Sequence, residues 1–216
     1  MVRAVSDRLV SETTAVARFD GSTHAIFPVA ASHAEGEALR GWVVRERAQR
    51  TIEIGLGYAI STLFICEGLL IGGNQAIQHV VIDPYQESRF ANCGLQFLEE
   101  AGVRAFVEHR SASSEIVLPL LVAEAAHFDL AFVDGNHRFD AVFVDLSYLG
   151  RLLRPGGVIF LDDYQLPGVR RAVAFYVANL GWSLEEISGA DELHQWAVLR
   201  TSRVPDARPY DYFVDF

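Results

Sequence analysis

Three aspartates and one histidine carry the strongest chemical signal in this 216-residue chain. Asp134 and His137 fall in VDGNH (133–137), and Asp162 and Asp163 in LDDY (161–164). Each stretch closes a short apolar run, so both sets of acids stand at expected strand ends. In an open parallel sheet that edge faces the ligand crevice. Carboxylates crowded on one rim repel one another and raise their own pKa values, a conflict that a hard divalent cation resolves. Oxygen ligands without cysteine suit Mg²⁺, which keeps positions open for water or substrate. Asp134, Asp162 and Asp163 are therefore candidate metal ligands. A plainer role stays open, with Asp162 capping the next helix and Asp163 solvated. His137, three residues after Asp134, is a candidate base for a substrate hydroxyl, or else a structural histidine of the turn.

A second constellation lies earlier. Glu53-Ile-Gly55-Leu-Gly57-Tyr-Ala59-Ile-Ser61 follows an apolar run and opens an apolar helical stretch. Gly55 and Gly57 permit a tight turn and close backbone approach to a ligand. The third small position of a dinucleotide fingerprint is occupied by Ile60, which weakens a pyrophosphate-binding reading. Glu53 offers an acceptor for a cationic amine. VVIDPY ends in Asp83, whose carboxylate presents acceptors to ribose hydroxyls. A helix cap before Pro84 is the alternative.

The elements needed to position these residues can be read from periodicity. Strands are expected at 51–55, 79–83, 104–108, 128–133 and 157–161. Helices are expected at 35–48, 59–71, 87–101, 114–126, 138–153 and 168–180. This alternation implies βαβ units and a parallel sheet covered on both faces. Two runs, 182–187 and 193–199, have no helix between them and so form an antiparallel hairpin. Residues 1–34 read as an irregular segment, suited to a lid or an interface. Residues 35–200 make the main domain. Residues 201–216 form a tail with four aromatics, expected to pack on the domain, a partner subunit or the active site.

Composition narrows the chemistry. Half of the residues are apolar and 21% are charged, the balance of a globular chain. The net charge of −10 argues against nucleic acid or an anionic membrane as a partner. All 18 basic residues are arginine, which removes every mechanism that needs a lysine. Cys66 and Cys93 lack metal-ligand spacing and read as buried apolar residues of a reducing, cytoplasmic protein. No signal peptide and no membrane-spanning run is expected.

Together these residues resemble the class I S-adenosylmethionine-dependent methyltransferases. Over about residues 35–200 the chain is similar to the small O-methyltransferases of the catechol and caffeoyl-CoA type and their antibiotic-sugar relatives. The resemblance implies a Rossmann-like α/β fold, a seven-stranded mostly parallel sheet ending in an antiparallel hairpin. It implies that Glu53, Gly55, Gly57 and Ser61 line the cofactor's methionine part. Asp83 matches the ribose position, and Ser113, with Ser111 and Ala112 as alternatives, the adenine border. Asp134, Asp162 and Asp163 match the metal ligands, with Asp134 also near the cofactor, and LLRPGGVIFLDD (152–163) matches the family's phrase before the acidic pair. Catechol-type enzymes place a lysine where this chain has His137. The implied activity is methyl transfer to a small-molecule hydroxyl (diol, catechol, sugar or hydroxy acid), with Mg²⁺, in a homodimer, in natural-product biosynthesis. Three other readings remain: a metal-independent methyltransferase with His137 as base, a nucleotide-dependent oxidoreductase, and a non-catalytic subunit.

Overall fold

A computed structural model describes residues 1–73, 76–189 and 194–216. The chain divides into two compact units, Met1–Ser114 and Glu115–Phe216.

The first unit opens with α1 (Val2–Glu12), in which Val2, Val5 and Leu9 recur at helical spacing on the buried side. A short antiparallel hairpin of β1 (Thr14–Val16) and β2 (Thr23–Ala25) follows. Residues 1–34 are therefore not irregular as the sequence suggested. Their apolar residues join the core of the unit, where Val2, Val5, Leu9 and Ile26 cluster with Leu63, Phe64 and Cys66. α2 (His33–Arg45) is capped by Ser32, whose Oγ accepts from the Glu35 N–H at 3.1 Å. β3 (Arg50–Ile54) leads into α3 (Ile60–Ile71), which is buried on almost every side. α2 meets α3 at Gly36, where a Cβ would lie 2.3 Å from the Phe64 ring, so only glycine admits this approach. β4 (Gln78–Ile82), α4 (Cys93–Glu100) and β5 (Val107–Arg110) complete the unit, with β4 paired in parallel to both β3 and β5. The helix expected at 87–101 starts only at Cys93, because Ala91 and Asn92 adopt left-handed φ values of 47° and 59°. The strand expected at 104–108 begins at Val107, because Phe106 N–H closes a turn onto Val103 O.

In the second unit, α5 (Ser114–Ala123) starts at the boundary, and β6 (Phe128–Val133), α6 (Phe139–Leu152) and β7 (Leu153–Leu161) follow. β7 reaches back to Leu153, beyond the expected 157–161, because Leu153 pairs with Phe128 before a register shift. α7 (Pro167–Leu180) starts on a proline, which has no N–H to lose in the first turn. β8 (Ser183–Ile187) and β9 (Ala197–Arg200) form the antiparallel hairpin, and β9 also pairs antiparallel with β7. Of the expected run 193–199, Leu193 falls outside the described residues and strand pairing starts at Ala197. The tail is tied to α7 by Asn179, whose Nδ2 donates to Val214 O at 2.9 Å while its Oδ1 accepts from Val214 N–H at 2.8 Å. Phe213 and Phe216 lie 6.4 and 5.2 Å from the Phe175 ring.

Strands β3–β9 run in the order β5-β4-β3-β6-β7-β9-β8, a seven-stranded sheet that is parallel except at the β7-β9-β8 edge. This is the Rossmann-like arrangement expected from the alternation of strands and helices.

Candidate functional site

In the first unit, the carboxyl ends of β3 and β4 are knotted together. Gly55, Gly57 and Ala59 take left-handed φ values of 99°, 49° and 63° in the turn before α3. Asp83, at the end of β4 and 3% exposed, holds this turn from beneath. Its Oδ2 accepts from Leu56 N–H at 3.2 Å, Gly57 N–H at 3.0 Å and Gln86 Nε2 at 2.8 Å. Its Oδ1 accepts from Tyr85 N–H at 2.7 Å. Oδ1 thus carries a single bond while Oδ2 carries three, so any further donor must come to Oδ1. A Cβ on Gly57 would meet no atom within 4 Å, so the turn opens onto free space that suits a ligand.

Glu53 faces the other way. It is fully buried, and its Oε1 accepts from Ser61 Oγ. Its Oε2 accepts from Thr62 Oγ1 at 2.6 Å and is 2.9 Å from His79 Nε2, while Thr51 Oγ1 lies 2.8 Å from His79 Nδ1. The sequence offered Glu53 to a cationic amine and Ser61 to the cofactor. In the structure the two are bonded to each other, and with Thr62 they fasten the first turn of α3 to β3. His79, for which no role was expected, completes this network. Ser113 is half-buried immediately before α5.

In the second unit, Asp162 N–H donates to Val133 O at 3.0 Å, which sets the ends of β6 and β7 side by side. His137 stands between two carboxylates. Its Nδ1 donates to Asp163 Oδ2 at 2.6 Å, and its Nε2 forms an ion-pair contact of 3.3 Å with Asp134 Oδ1 that lacks hydrogen-bond alignment. Burial alone would lower the imidazole pKa, but Asp134 and Asp163 outweigh it and hold it up to about 10. The bond from His137 in turn pulls Asp163 down to about 2 against the effect of burial. A base must be neutral to take a proton, and both carboxylates favour the charged imidazole. Burial, with the Asp163 charge beside it, raises the pKa of Asp162.

The atoms able to close on one ion belong to Asp162, Asp163 and His194, all within 4.8 Å of one another. Asp134, read from sequence as a ligand, is not in that group, and His194, on which the sequence placed no role, is. The antiparallel pairing of β7 with β9 could have found it. Leu161 partners Ala197, so the residues just before β9 must pass the residues just after β7. Tyr164 N–H indeed donates to Gln195 O at 2.7 Å.

Comparison with known proteins bears on the family and the fold. A family profile described as methyltransferase domain matches residues 52–164, just over half of the chain. The chain belongs to this family, the class I S-adenosylmethionine-dependent methyltransferases that its motifs resemble. Among solved structures, an O-methyltransferase from Bacillus cereus in complex with S-adenosylhomocysteine superposes with a TM-score of 0.72 at 18% identity, covering 93% of this chain and 90% of that one. The O-methyltransferase TomG of Streptomyces achromogenes, involved in tomaymycin synthesis, gives 0.70 at 21% identity, with 93% and 89% covered. The methyltransferase PaMTH1 of Podospora anserina gives 0.70 at 17% identity, with 92% and 88% covered. At these identities the likeness is one of fold. Uncharacterized protein R132 of Acanthamoeba polyphaga mimivirus is 31% identical over 78 residues, 32% of this chain. The chain spans only 35% of the length of that curated relative.

Proposed function

We propose that this protein transfers the methyl group of S-adenosylmethionine to a hydroxyl oxygen of a small molecule, with help from a divalent ion. The acceptor class is a diol, catechol, sugar or hydroxy acid, of the kind modified in natural-product synthesis. The observation that carries this reading is the convergence of Asp162 and Asp163 with a third ligand-bearing side chain at the end of β7. The solved relatives that hold S-adenosylmethionine or S-adenosylhomocysteine support the cofactor.

The residues divide the work. Gly57 leaves room for the cofactor, Gly55 with its left-handed φ shapes the turn, and Asp83 Oδ1 is the carboxylate oxygen offered to a ribose hydroxyl. Glu53, Ser61 and Thr62 act indirectly by fixing the helix end beside the turn. In the reaction the hydroxyl oxygen bonds to the methyl carbon, the carbon–sulfur pair returns to sulfur, and the hydroxyl proton passes to solvent water. A divalent ion, when bound, would supply the charge that lowers the hydroxyl pKa. Asp162 and Asp163 would hold that ion, and His137 orients Asp163 through its Oδ2. Most of the rate then comes from positioning and electrostatics. With 28 acidic and 18 basic residues, the chain is better matched to a small acceptor than to a nucleic acid. A cytoplasmic homodimer is the assembly this reading carries.

The test is a methyl-transfer assay with trideuteromethyl-labelled S-adenosylmethionine against a panel of catechols, sugar diols and α-hydroxy acids. A labelled methyl ether that forms with Mg²⁺ or Mn²⁺ and vanishes in chelator supports the proposal. Transfer undiminished by chelator, or transfer only to nitrogen, contradicts it.

A further inference from the structure

Asp134 and His194 compete for the third position around the ion, and the side-chain geometry separates them. Asp134 Oδ1 lies against His137 Nε2 at 3.3 Å, and His137 passes the contact on to Asp163 Oδ2 at 2.6 Å. This chain of carboxylate, imidazole and carboxylate ends on Oδ2 of Asp163. The other oxygen, Oδ1, is 3.1 Å from His194 Nδ1. It also accepts from Gln165 Nε2 at 2.6 Å.

Asp162 supplies an independent observation. It is 5% exposed, and its Oδ1 accepts from Asp163 N–H at 2.6 Å. Among the described residues no hydrogen bond reaches its Oδ2, which points toward His194 Nδ1 across 3.9 Å. The Asp162 side chain is 6% exposed, so this oxygen keeps little water in place of a donor. The gap it faces is too long for a hydrogen bond and is bordered by one nitrogen and two carboxylates. His194 Nδ1 and Asp163 Oδ1 share a hydrogen bond, and a cation taking its place would also give Asp162 Oδ2 a partner.

We propose that His194, with Asp162 and Asp163, ligates the ion through Nδ1, and that Asp134 and His137 form an outer pair that orients Asp163. This rests on the ion-assisted reading above. It replaces an all-oxygen site by two carboxylates and one imidazole. Mg²⁺ favours oxygen ligands, whereas an imidazole suits the first-row transition ions. The site therefore prefers Mn²⁺, Fe²⁺, Co²⁺ or Zn²⁺ to Mg²⁺. Outer carboxylate–histidine contacts of the Asp134–His137 kind also tune affinity, so affinity loss alone cannot tell ligand from neighbour.

The experiment is pulsed electron paramagnetic resonance of the full chain loaded with Mn²⁺, which reads nitrogen bonded to the ion. The wild type is expected to show coupling to one imidazole nitrogen. His194→Gln is expected to lose it, whereas Asp134→Asn and His137→Gln keep it. Mn²⁺ titrations should also show His194→Gln binding about tenfold or more weaker, with a smaller loss for Mg²⁺. Circular dichroism and a melting curve confirm that each variant is folded. Mn²⁺ bound without nitrogen coupling overturns the His194 assignment and leaves the ion-assisted reading standing. Coupling that survives in His194→Gln and disappears in His137→Gln overturns it in favour of His137. No Mn²⁺ binding by the folded wild type overturns both.

Discussion

Thr62→Val isolates one bond of the Glu53 network. Thr62 is fully buried and its Oγ1 donates to Glu53 Oε2 at 2.6 Å. Valine has the same shape, so no cavity forms and only the hydroxyl is lost. A hydrogen bond to a charged group contributes about 1.5–3 kcal/mol. Glu53 Oε2 keeps its contact with His79 and Oε1 keeps Ser61, so no carboxylate oxygen is left bare. The expected loss is thus that single contribution, about 1.5–3 kcal/mol, and not the larger penalty of an uncompensated buried charge. At about 2–4 °C per kcal/mol for a domain of this size, the melting temperature falls by about 3–12 °C. Urea denaturation should show the midpoint moving with the slope unchanged. Thr62→Ser, which keeps the hydroxyl and loses a methyl, should recover part of the loss. A Thr62→Val midpoint that stays within about 0.5 kcal/mol of the wild type, near the noise of a surface substitution, would refute the view that Glu53 fastens α3.

Three further outcomes are expected. With His137 held up to about 10 from an ordinary 6.5, its contribution to stability is complete below pH 6.5 and lost as pH rises through 10. His137→Ala should therefore be least stable relative to wild type near pH 6, with the gap between their urea midpoints narrowing towards pH 10. Asn179 is 3% exposed and holds Val214 by both backbone groups, so Asn179→Ala should cost about 1–3 kcal/mol and expose the tail to limited proteolysis. A Cβ on Gly168 would lie 3.0 Å from Phe139 N and 3.2 Å from His137 O. Gly168→Ala should cost about 1–3 kcal/mol in a melting assay and weaken Mn²⁺ binding by shifting the turn that carries His137.

The order of strands and helices was legible because apolar runs and helical faces alternate along residues 50–180. The terminal hairpin was legible because a short connection between strands can only be antiparallel. Element ends were not. α4 starts late because two non-glycine residues, Ala91 and Asn92, turn left-handed, which their residue types do not announce. α1 was overlooked although Val2, Val5 and Leu9 have helical spacing, because the stretch is short and mostly polar.

At the site, sequence identified the acids but not which atoms face one another. Glu53 reads as a ligand-binding acid until its neighbours Ser61, Thr62 and His79 are seen to occupy it. Asp134 and His137 read as ligand and base from their spacing, which does not announce that they touch each other. His194 lies 31 residues from Asp163 and is brought to it only by the β7–β9 pairing.

The central claim is that the turn at Gly55–Gly57, held by Asp83, binds the adenosyl cofactor of a methyltransferase. Calorimetric titration of the full chain with S-adenosylhomocysteine, with NADH as the control, tests it most directly. The account predicts saturable binding of S-adenosylhomocysteine that is weakened in Asp83→Ala, and no binding of NADH. Heat from NADH alone, or S-adenosylhomocysteine binding unchanged in a folded Asp83→Ala protein, would contradict it.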